Sequence, residues 1–424
     1  MLVENCFPAD TRVRNEAFTL AENGFNVSVI AIKGRDEQSH EVVNGVTVYR
    51  VPRLTLFEKL PAAKQSLFRA LLNKLLVVVG YFSEYVYFTS ACLAVSFYVA
   101  LKEGLDVIHA HNPPDTLFVV GAAHKLFGRK FVFDHHDLCA ELYLSRYNKT
   151  EESLVTRVLK LTEKLSAKLA DVVIATNESY KAIDIRRNGV DPDRVYIVRN
   201  GPNLKRVRLV EPDAALKAKA PTILGYVGAM NPQDGVDYLL RALGHMVHQM
   251  NRSDFFCVVI GDGDSREALQ TLAVELGIAD RVWFTGFIPE ADLLRYLSTA
   301  DVCLDPNPSS PLNDVSTWIK VMEYMALGKP IVSFDLKETR TSAAEAALYV
   351  TPNNEAEFAA AVVRLMDDPA RRQQMGEYGK KRVASDLGWH VTSRNLVKAY
   401  TRLFANAPLQ ATGDVAALRE SGRP

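Results

Sequence analysis

The sequence lacks a net charge: 50 Lys and Arg stand against 50 Asp and Glu. No general field draws nucleic acid, and no nucleic-acid partner is expected. The one local basic run, "RNGPNLKRVR", reads as a solvated loop. Paired cysteines are also lacking. Cys6, Cys92, Cys139, Cys257 and Cys303 are scattered, odd in number and free of any CxxC spacing. That argues against a disulfide frame or a structural zinc site and for a reducing compartment. The start shows no basic region followed by an apolar run and a small-residue cleavage site, so no secretory signal is expected. Long apolar runs are scarce. Tyr85 to Leu101, "YVYFTSACLAVSFYVAL", is uncharged and at the short end of what crosses a bilayer. Glu84 precedes it, Ser and Thr interrupt it, and a strand-like run follows. It reads as a core or interfacial helix rather than a span.

What is present is length and alternation. A chain of 424 residues exceeds one ordinary core, and 48% hydrophobic with 24% charged residues is usual for a globular protein. The first half carries "FNVSVIAI", "VTVYRV", "DVIHAH", "KFVFDHH", "DVVIATN" and "RVYIVRNG", rich in β-branched and aromatic residues. The intervals leave room for helices, and each run ends in polar or glycine-rich residues, as parallel strands buried on both faces do. Periodicity fades over 204–220, which reads as a linker. It restarts with "TILGYVGAM", "FFCVVIGDG", "RVWFTGF", "DVCLDPNP", "PIVSFD" and "ALYVTP". The expected architecture is α/β, two Rossmann-like domains over 1–203 and 221–385 facing a cleft. A helix over 386–408 packs back on the first domain, and a tail follows over 409–424.

Several constellations fall at strand ends. Gly228 lies in a βα turn before a helix starting near Gly235, where backbone N–H groups can meet a phosphate, although a tight turn alone explains it. Gly261 and Gly263 bracket Asp262, with Ser265 as a helix cap. The stretch "PNPSSPLNDVSTWIKVMEYMALGKP" is a proline-rich loop, then a helix capped by Asn313 or Asp314 and stopped by Gly328 and Pro330. Ser316, Lys320 and Glu323 follow i, i+4, i+7 and share a face, while Ile319, Met322 and Ala326 suit the core. An exposed ion pair would account for Lys320 and Glu323. If the face looks into the cleft, a carboxylate can accept two sugar hydroxyls and an ammonium can meet a phosphate. In the first half, alternation puts His109 and His111 on one side of a strand. "FDHHDLCAEL" adds Asp134, His135, His136, Asp137 and Glu141. These spacings match neither HExxH nor a structural zinc pattern, so sugar or phosphate contacts are expected and no metal.

"DTRVRNEAFTLAENGFNVSVI", "DVIHAHNPPD", "FDHHDLCAE", "ADVVIATNES", "VRNGPN", "YVGAM", "IGDG", "VWFTGF", "ADVCLDP" and "VMEYMALGKPIVS" occur in one order across nearly the whole chain. In that order the chain resembles the family-4 retaining glycosyltransferases of the GT-B fold. The resemblance implies that Glu323 holds the donor ribose, that the Gly228 turn holds phosphate, and that Phe287 and Ile288 lie where the base packs. It implies that His111 and His136 contact donor sugar or acceptor, and that no metal cofactor is needed. With the residues around them, the candidate catalytic set is His111, His136 and Asp137. The candidate donor set is Gly228, Asp262, Phe287, Ile288, Asp314, Ser316, Lys320 and Glu323. The implied partners are a nucleotide sugar and a glycan or lipid-linked acceptor of cell-surface polysaccharide or glycolipid synthesis. The implied location is cytoplasmic, with peripheral contact at the inner membrane face. Three departures stand out. Ala229 and Gln233-Asp234 occupy places where the family often has Arg and Lys, and Lys320 is the candidate replacement charge. Val315 replaces a second Glu. "MLVEN" reads as a shortened first strand. Two other readings stay open: a nucleotide-sugar epimerase of the same fold, and a non-catalytic nucleotide-sugar-binding partner.

Overall fold

The computed structural model describes residues 1–54, 67–147 and 153–404. The expected tail and residues 405–408 of the expected last helix lie outside them. The first domain holds strands β1 (Leu2–Val3), β2 (Ser28–Ile32), β3 (His40–Val43), β4 (Val46–Val51), β5 (Val107–His111), β6 (Lys130–His135), β7 (Val172–Ala175) and β8 (Val195–Ile197). Its helices are α1 (Thr11–Glu22), α2 (Leu67–Lys102), α3 (Phe118–Lys125), α4 (Cys139–Tyr147), α5 (Leu154–Leu169) and α6 (Glu178–Arg186). The sheet order is β3-β4-β2-β1-β5-β6-β7-β8, parallel except for β3. That edge strand had escaped the sequence reading. It pairs with β4 through Asn44-Gly45, both at positive φ, a two-residue turn whose twist suits a hairpin.

The second domain holds α7 (Ala214–Lys217), β9 (Thr222–Val227), α8 (Val236–His248), β10 (Phe255–Ile260), α9 (Arg266–Glu275), β11 (Val282–Gly286), α10 (Glu290–Thr299) and β12 (Val302–Asp305). It continues with α11 (Ile319–Ala326), β13 (Ile331–Phe334), α12 (Lys337–Ala343), β14 (Ala347–Val350), α13 (Glu355–Asp367) and α14 (Pro369–Arg382). Its sheet is fully parallel, in the order β11-β10-β9-β12-β13-β14. Helices cover both faces, so the strands are apolar throughout rather than alternating.

Three features bear on the expected organisation. Residues 204–220 are not a free linker: Val207 and Leu216 are buried in the second domain's core, and Ser298 and Thr299 accept the Val210 and Asp213 N–H groups. Helix α15 (Trp389–Phe404) returns to the first domain, burying Trp389, Leu396, Tyr400 and Leu403 beside Val13, Leu20 and Val29. Helix α2 turns Phe88, Cys92, Ser96 and Val99 inward at helical spacing, while Phe82, Val86, Tyr98 and Leu101 are exposed. By length and composition Phe82–Lys102 could cross a membrane, but this packing lays one face against the domain.

Candidate active site

In the second sheet the chain leaves β9 toward β10 on one side and returns to β12 on the other, so a crevice opens between the carboxyl ends of β9 and β12. Two loops line it. In the turn after β9, Gly228 has φ +155, and a Cβ there would come within 2.7 Å of the Tyr226 hydroxyl. Asn313, in the loop after β12, donates to Gln233 O at 2.9 Å and Pro308 O at 2.8 Å, locking one loop to the other. The loop also reaches the first domain. Leu312 is buried in that domain's core, Val315 packs on it, and Asn177 donates to Val315 O and Thr317 Oγ1, both at 2.9 Å. Between the domains lies a cleft of about 510 Å³, walled by Thr11, His136, Asp137, Leu138 and Tyr180 on one side and Gly228, Asp234, Ser316, Trp318, Lys320 and Glu323 on the other. A more open hollow of about 630 Å³ lies by β8 and α15, with Lys181, Arg199, Lys398 and Arg402 among its lining residues.

On the second-domain wall, Lys320 is only 8% exposed. Its Nζ lies 3.3 Å from Asp305 Oδ1 and 4.7 Å from the Tyr226 ring centroid. Asp305 is buried at the end of β12 and also accepts from Ser333 Oγ at 3.0 Å. The ammonium is thus anchored at one corner, with donors left for the cleft. Glu323, one turn on, has no hydrogen-bond donor among the described residues; burial raises its carboxyl pKa, and Arg206 partly offsets that. Burial likewise raises Asp234, against the pull of Lys320. The Gly228 and Met230 N–H groups bond Ile260 O and Asp262 O, so the turn offers the Ala229 N–H and the start of α8.

The first-domain wall rests on a buried network. Arg12 of α1 clasps both oxygens of Asp134 at 2.7 Å and lies 3.2 Å from Glu16. Asp134, level with His111 in the β5–β6 register, lies 2.8 Å from His111 Nδ1 and 3.6 Å from His136 Nδ1. Burial alone would raise Asp134, but Arg12, His111 and His136 together outweigh it and hold the carboxyl well below its usual range. Burial keeps His109 and His111 neutral, whereas Asp134 overcomes burial at His136 and raises it. Glu16, His109, His111 and Asp134 bring four potential metal-ligand atoms within 4.8 Å of one another. Arg12 already matches Asp134, and burial pushes Glu16 well above its usual range. A second network lies alongside: burial opposes charge on His135, yet Asp184 and Glu163 push it up to about 10.

The structure brings His136, Asp137, Gly228, Ser316, Lys320 and Glu323 into one cleft. Ser316 arrives by a different route from the expected one. Helix α11 starts at Ile319 with Trp318 as its N-cap, so neither Asn313 nor Asp314 caps it and Ser316 is extended chain. Lys320 and Glu323 form no ion pair with each other; Lys320 is held by Asp305. Ile319, expected in the core, lines the cleft. His111 does not look into the cleft: it is 0% exposed, one layer beneath His136, because Asp134 and the packing of α1 close over it. Asp262 is turned to its own loop, accepting from Gly263 N at 2.8 Å, and Ser265 makes no side-chain cap bond. Phe287 is 90% exposed, and Ile288 packs against the domain core. Both follow the edge strand β11, away from the β9–β12 crevice. Asp314 backs the loop, accepting from Ser309 Oγ at 3.1 Å.

The Glycosyl transferase 4-like domain family matches residues 9–201, and the Glycosyl transferases group 1 family matches residues 221–368. The chain belongs to the GT-B glycosyltransferases. A D-inositol 3-phosphate glycosyltransferase of Thermomonospora curvata is 31% identical over 257 residues, covering 55% of this chain and 57% of that protein, little more than half of either. Sucrose-phosphate synthase of Thermosynechococcus elongatus has the same fold, with a TM-score of 0.72 and 23% identity over 95% of each chain. So has Anabaena HepE in complex with UDP-glucose, with a TM-score of 0.67 and 15% identity over 95% of this chain and 98% of that one.

Several residues that shape this glycosyltransferase's cleft were missed from the sequence. Arg12 and Glu16 looked like ordinary helix residues, since the Arg12 partner lies 122 positions away. Asp305 looked like a strand terminus. Asn177 and Tyr180, at the start of α6, gave no signal beyond a helix cap.

Proposed function

We propose that this glycosyltransferase transfers a sugar, with retention, from a nucleoside-diphosphate sugar to a hydroxyl of a glycan or lipid-linked acceptor in cell-surface polysaccharide or glycolipid synthesis. The observation that carries the reading is Lys320 and Glu323, one turn apart on α11 and facing His136 across the cleft. Glu323 accepts the donor's ribose hydroxyls. Lys320 and the His136 imidazolium meet the diphosphate, in place of the basic residues that Ala229 and Gln233 do not provide. Those charges, with the start of α8, support a leaving diphosphate without a divalent ion. As it departs, a diphosphate oxygen takes the proton of the incoming hydroxyl on the same face of the sugar. No protein nucleophile is required, and Asp137, at the cleft's first-domain rim, orients the acceptor hydroxyl. HepE's complex with UDP-glucose supports a nucleotide sugar as donor.

A melting-temperature screen with UDP, GDP and ADP sugars identifies the donor, since a ligand specific to the folded state raises the melting point. Lys320→Ala is expected to weaken nucleoside-diphosphate binding about tenfold to a hundredfold and nucleoside binding far less, with a smaller loss at high salt. Transfer is expected to persist in a chelator. Equal diphosphate affinity in Lys320→Ala and parent would overturn the assignment and favour a non-catalytic binding role.

A further inference from the structure

The hollow beside β8 gathers four cations that the cleft does not use. Strand β8 is an edge of the first sheet, and Val195, Tyr196 and Ile197 lie along the hollow. Helix α6 packs on one face of that sheet through Tyr180 and Ile183, and α15 packs on the other through Leu396 and Ala399. Lys398 and Arg402 stand one turn apart on α15 and share a face. Lys181 comes from α6, and Arg199 from the chain just after β8. One pair of cations therefore comes from α15 and the other from the opposite side of the edge strand. The side chains of Lys181, Lys398 and Arg402 have no hydrogen bond or ion pair among the described residues. Arg199 is only 15% exposed, and its Nη1 lies 3.9 Å from Glu338 Oε2 of α12 without a hydrogen-bond partner. Burial outweighs the support of Glu338 and Glu178 and lowers the Arg199 pKa. Cations gathered this way repel one another until an anion joins them.

We propose that this hollow binds a small sugar bisphosphate, and that the ligand competes with Glu338 for Arg199. A volume of about 630 Å³ suits a small molecule. Each pair of cations meets one phosphate, the guanidinium through forked bonds and the ammonium as a compact charge. Glu178 and Asp193 line the same hollow and accept hydroxyls. Asn395 spends its Nδ2 on Ile197 O at 2.9 Å, which leaves its carbonyl for another hydroxyl. The two acids repel the backbone of a long polyanion, so phosphates at the ends of a hydroxylated body fit best. The hollow shares no lining residue with the cleft, although Arg199 faces one and Asn200, the next residue, faces the other. It therefore stands apart from the donor reading. Position also gives binding a consequence. Glu338 of the second domain accepts from Ser179 of α6 at 2.5 Å, so it faces Arg199 across the domain boundary. A phosphate that engages Arg199 weakens that contact, and by reciprocity a change at Glu338 alters ligand affinity.

The test is calorimetric titration of the full chain with fructose 1,6-bisphosphate, inorganic phosphate and fructose. The bisphosphate is expected to bind at least tenfold more tightly than phosphate, fructose not at all, and salt should weaken binding. Lys398→Gln with Arg402→Gln is expected to reduce bisphosphate affinity at least tenfold. Both side chains are exposed, so the variant should melt with the parent and report a folded protein. Lys320→Ala should bind the bisphosphate like the parent. Glu338→Gln, which removes the competing carboxylate, should tighten binding at least threefold, a gain that mere damage to the fold does not produce. Phosphate bound as tightly as the bisphosphate would mean an adventitious ion only and overturn the site. So would a Lys398 and Arg402 variant that binds like the parent. A loss in Lys320→Ala would overturn it too, by placing the bisphosphate in the donor cleft. Equal or weaker binding in Glu338→Gln would overturn the competition for Arg199.

Discussion

On the first-domain wall of the cleft, Asp134 is met by Arg12, His111 and His136, so its charge is occupied before any ligand arrives. On the opposite wall, Glu323 has no donor among the described residues, and Lys320 is held at a single corner by Asp305. One wall is a closed network that fixes geometry; the other keeps its hydrogen-bonding capacity for a guest. Lys320 is buried like Asp134, while Glu323 is half-buried, so burial alone does not separate structural from ligand-binding charges here. The completeness of each group's partners does.

The contrast breaks most severely at Asp134. Asp134→Asn leaves the Arg12 guanidinium buried without its counter-charge, and urea unfolding is expected to show a loss of about 3–5 kcal/mol. A loss under about 1 kcal/mol would mean that the network does not hold the wall. Glu323→Gln is expected to do the reverse. Stability should change little, while nucleoside and nucleoside-diphosphate affinity should fall together by about 1.5–3 kcal/mol, read by calorimetric titration. A mutant that binds both like the parent would return Glu323 to the surface.

His136 joins the two walls, and its test is pH. Burial opposes its charge, but Asp134 raises its pKa above the ordinary 6.5. The stabilisation from its charged form is therefore fully present below 6.5 and lost as pH rises through the raised value. Diphosphate affinity should fall over the same range, because the cation that meets it is neutralised. In His136→Gln both pH dependences should flatten relative to the parent. Identical slopes would remove His136 from the donor site. The smallest effect is expected at Phe287, whose ring is exposed. Phe287→Ala should shift stability by under about 0.5 kcal/mol. A drop in nucleoside affinity would then show that the base packs there when bound, and no drop would leave Phe287 outside the site.

The sequence was most legible where physics is local. Parallel strands buried on both faces leave continuous apolar runs, so β4 to β14 can be found from composition and spacing, and the βα turn at Gly228 follows from its place after β9. Depth was illegible. Alternation put His109 and His111 on one side, as their stacked rings show at 4.2 Å, but it does not say that α1 covers them. Helical periodicity selected Ser316 with Lys320 and Glu323, although Ser316 precedes the helix; the interdomain loop brings it to the same cleft. Residues 204–220 read as a linker because their charges hid Val207 and Leu216, whose partners lie in α10 and its surroundings. The hairpin at Asn44-Gly45 carried a local signal, since a two-residue turn of that type between β-rich runs joins two strands.

The return of α15 has a consequence for how the protein is made. Trp389 Nε1 bonds Thr19 Oγ1, and Tyr400 bonds His109, so the first domain's core is completed by the last helix described. A chain emerging from the ribosome can assemble the second domain as soon as its own strands are out. The first domain must wait, with Val13, Leu20 and Val29 lacking their cover, until some 370 further residues have been synthesised. Its early strands therefore depend on shielding during translation, and premature termination before α15 damages the beginning of the protein rather than its end.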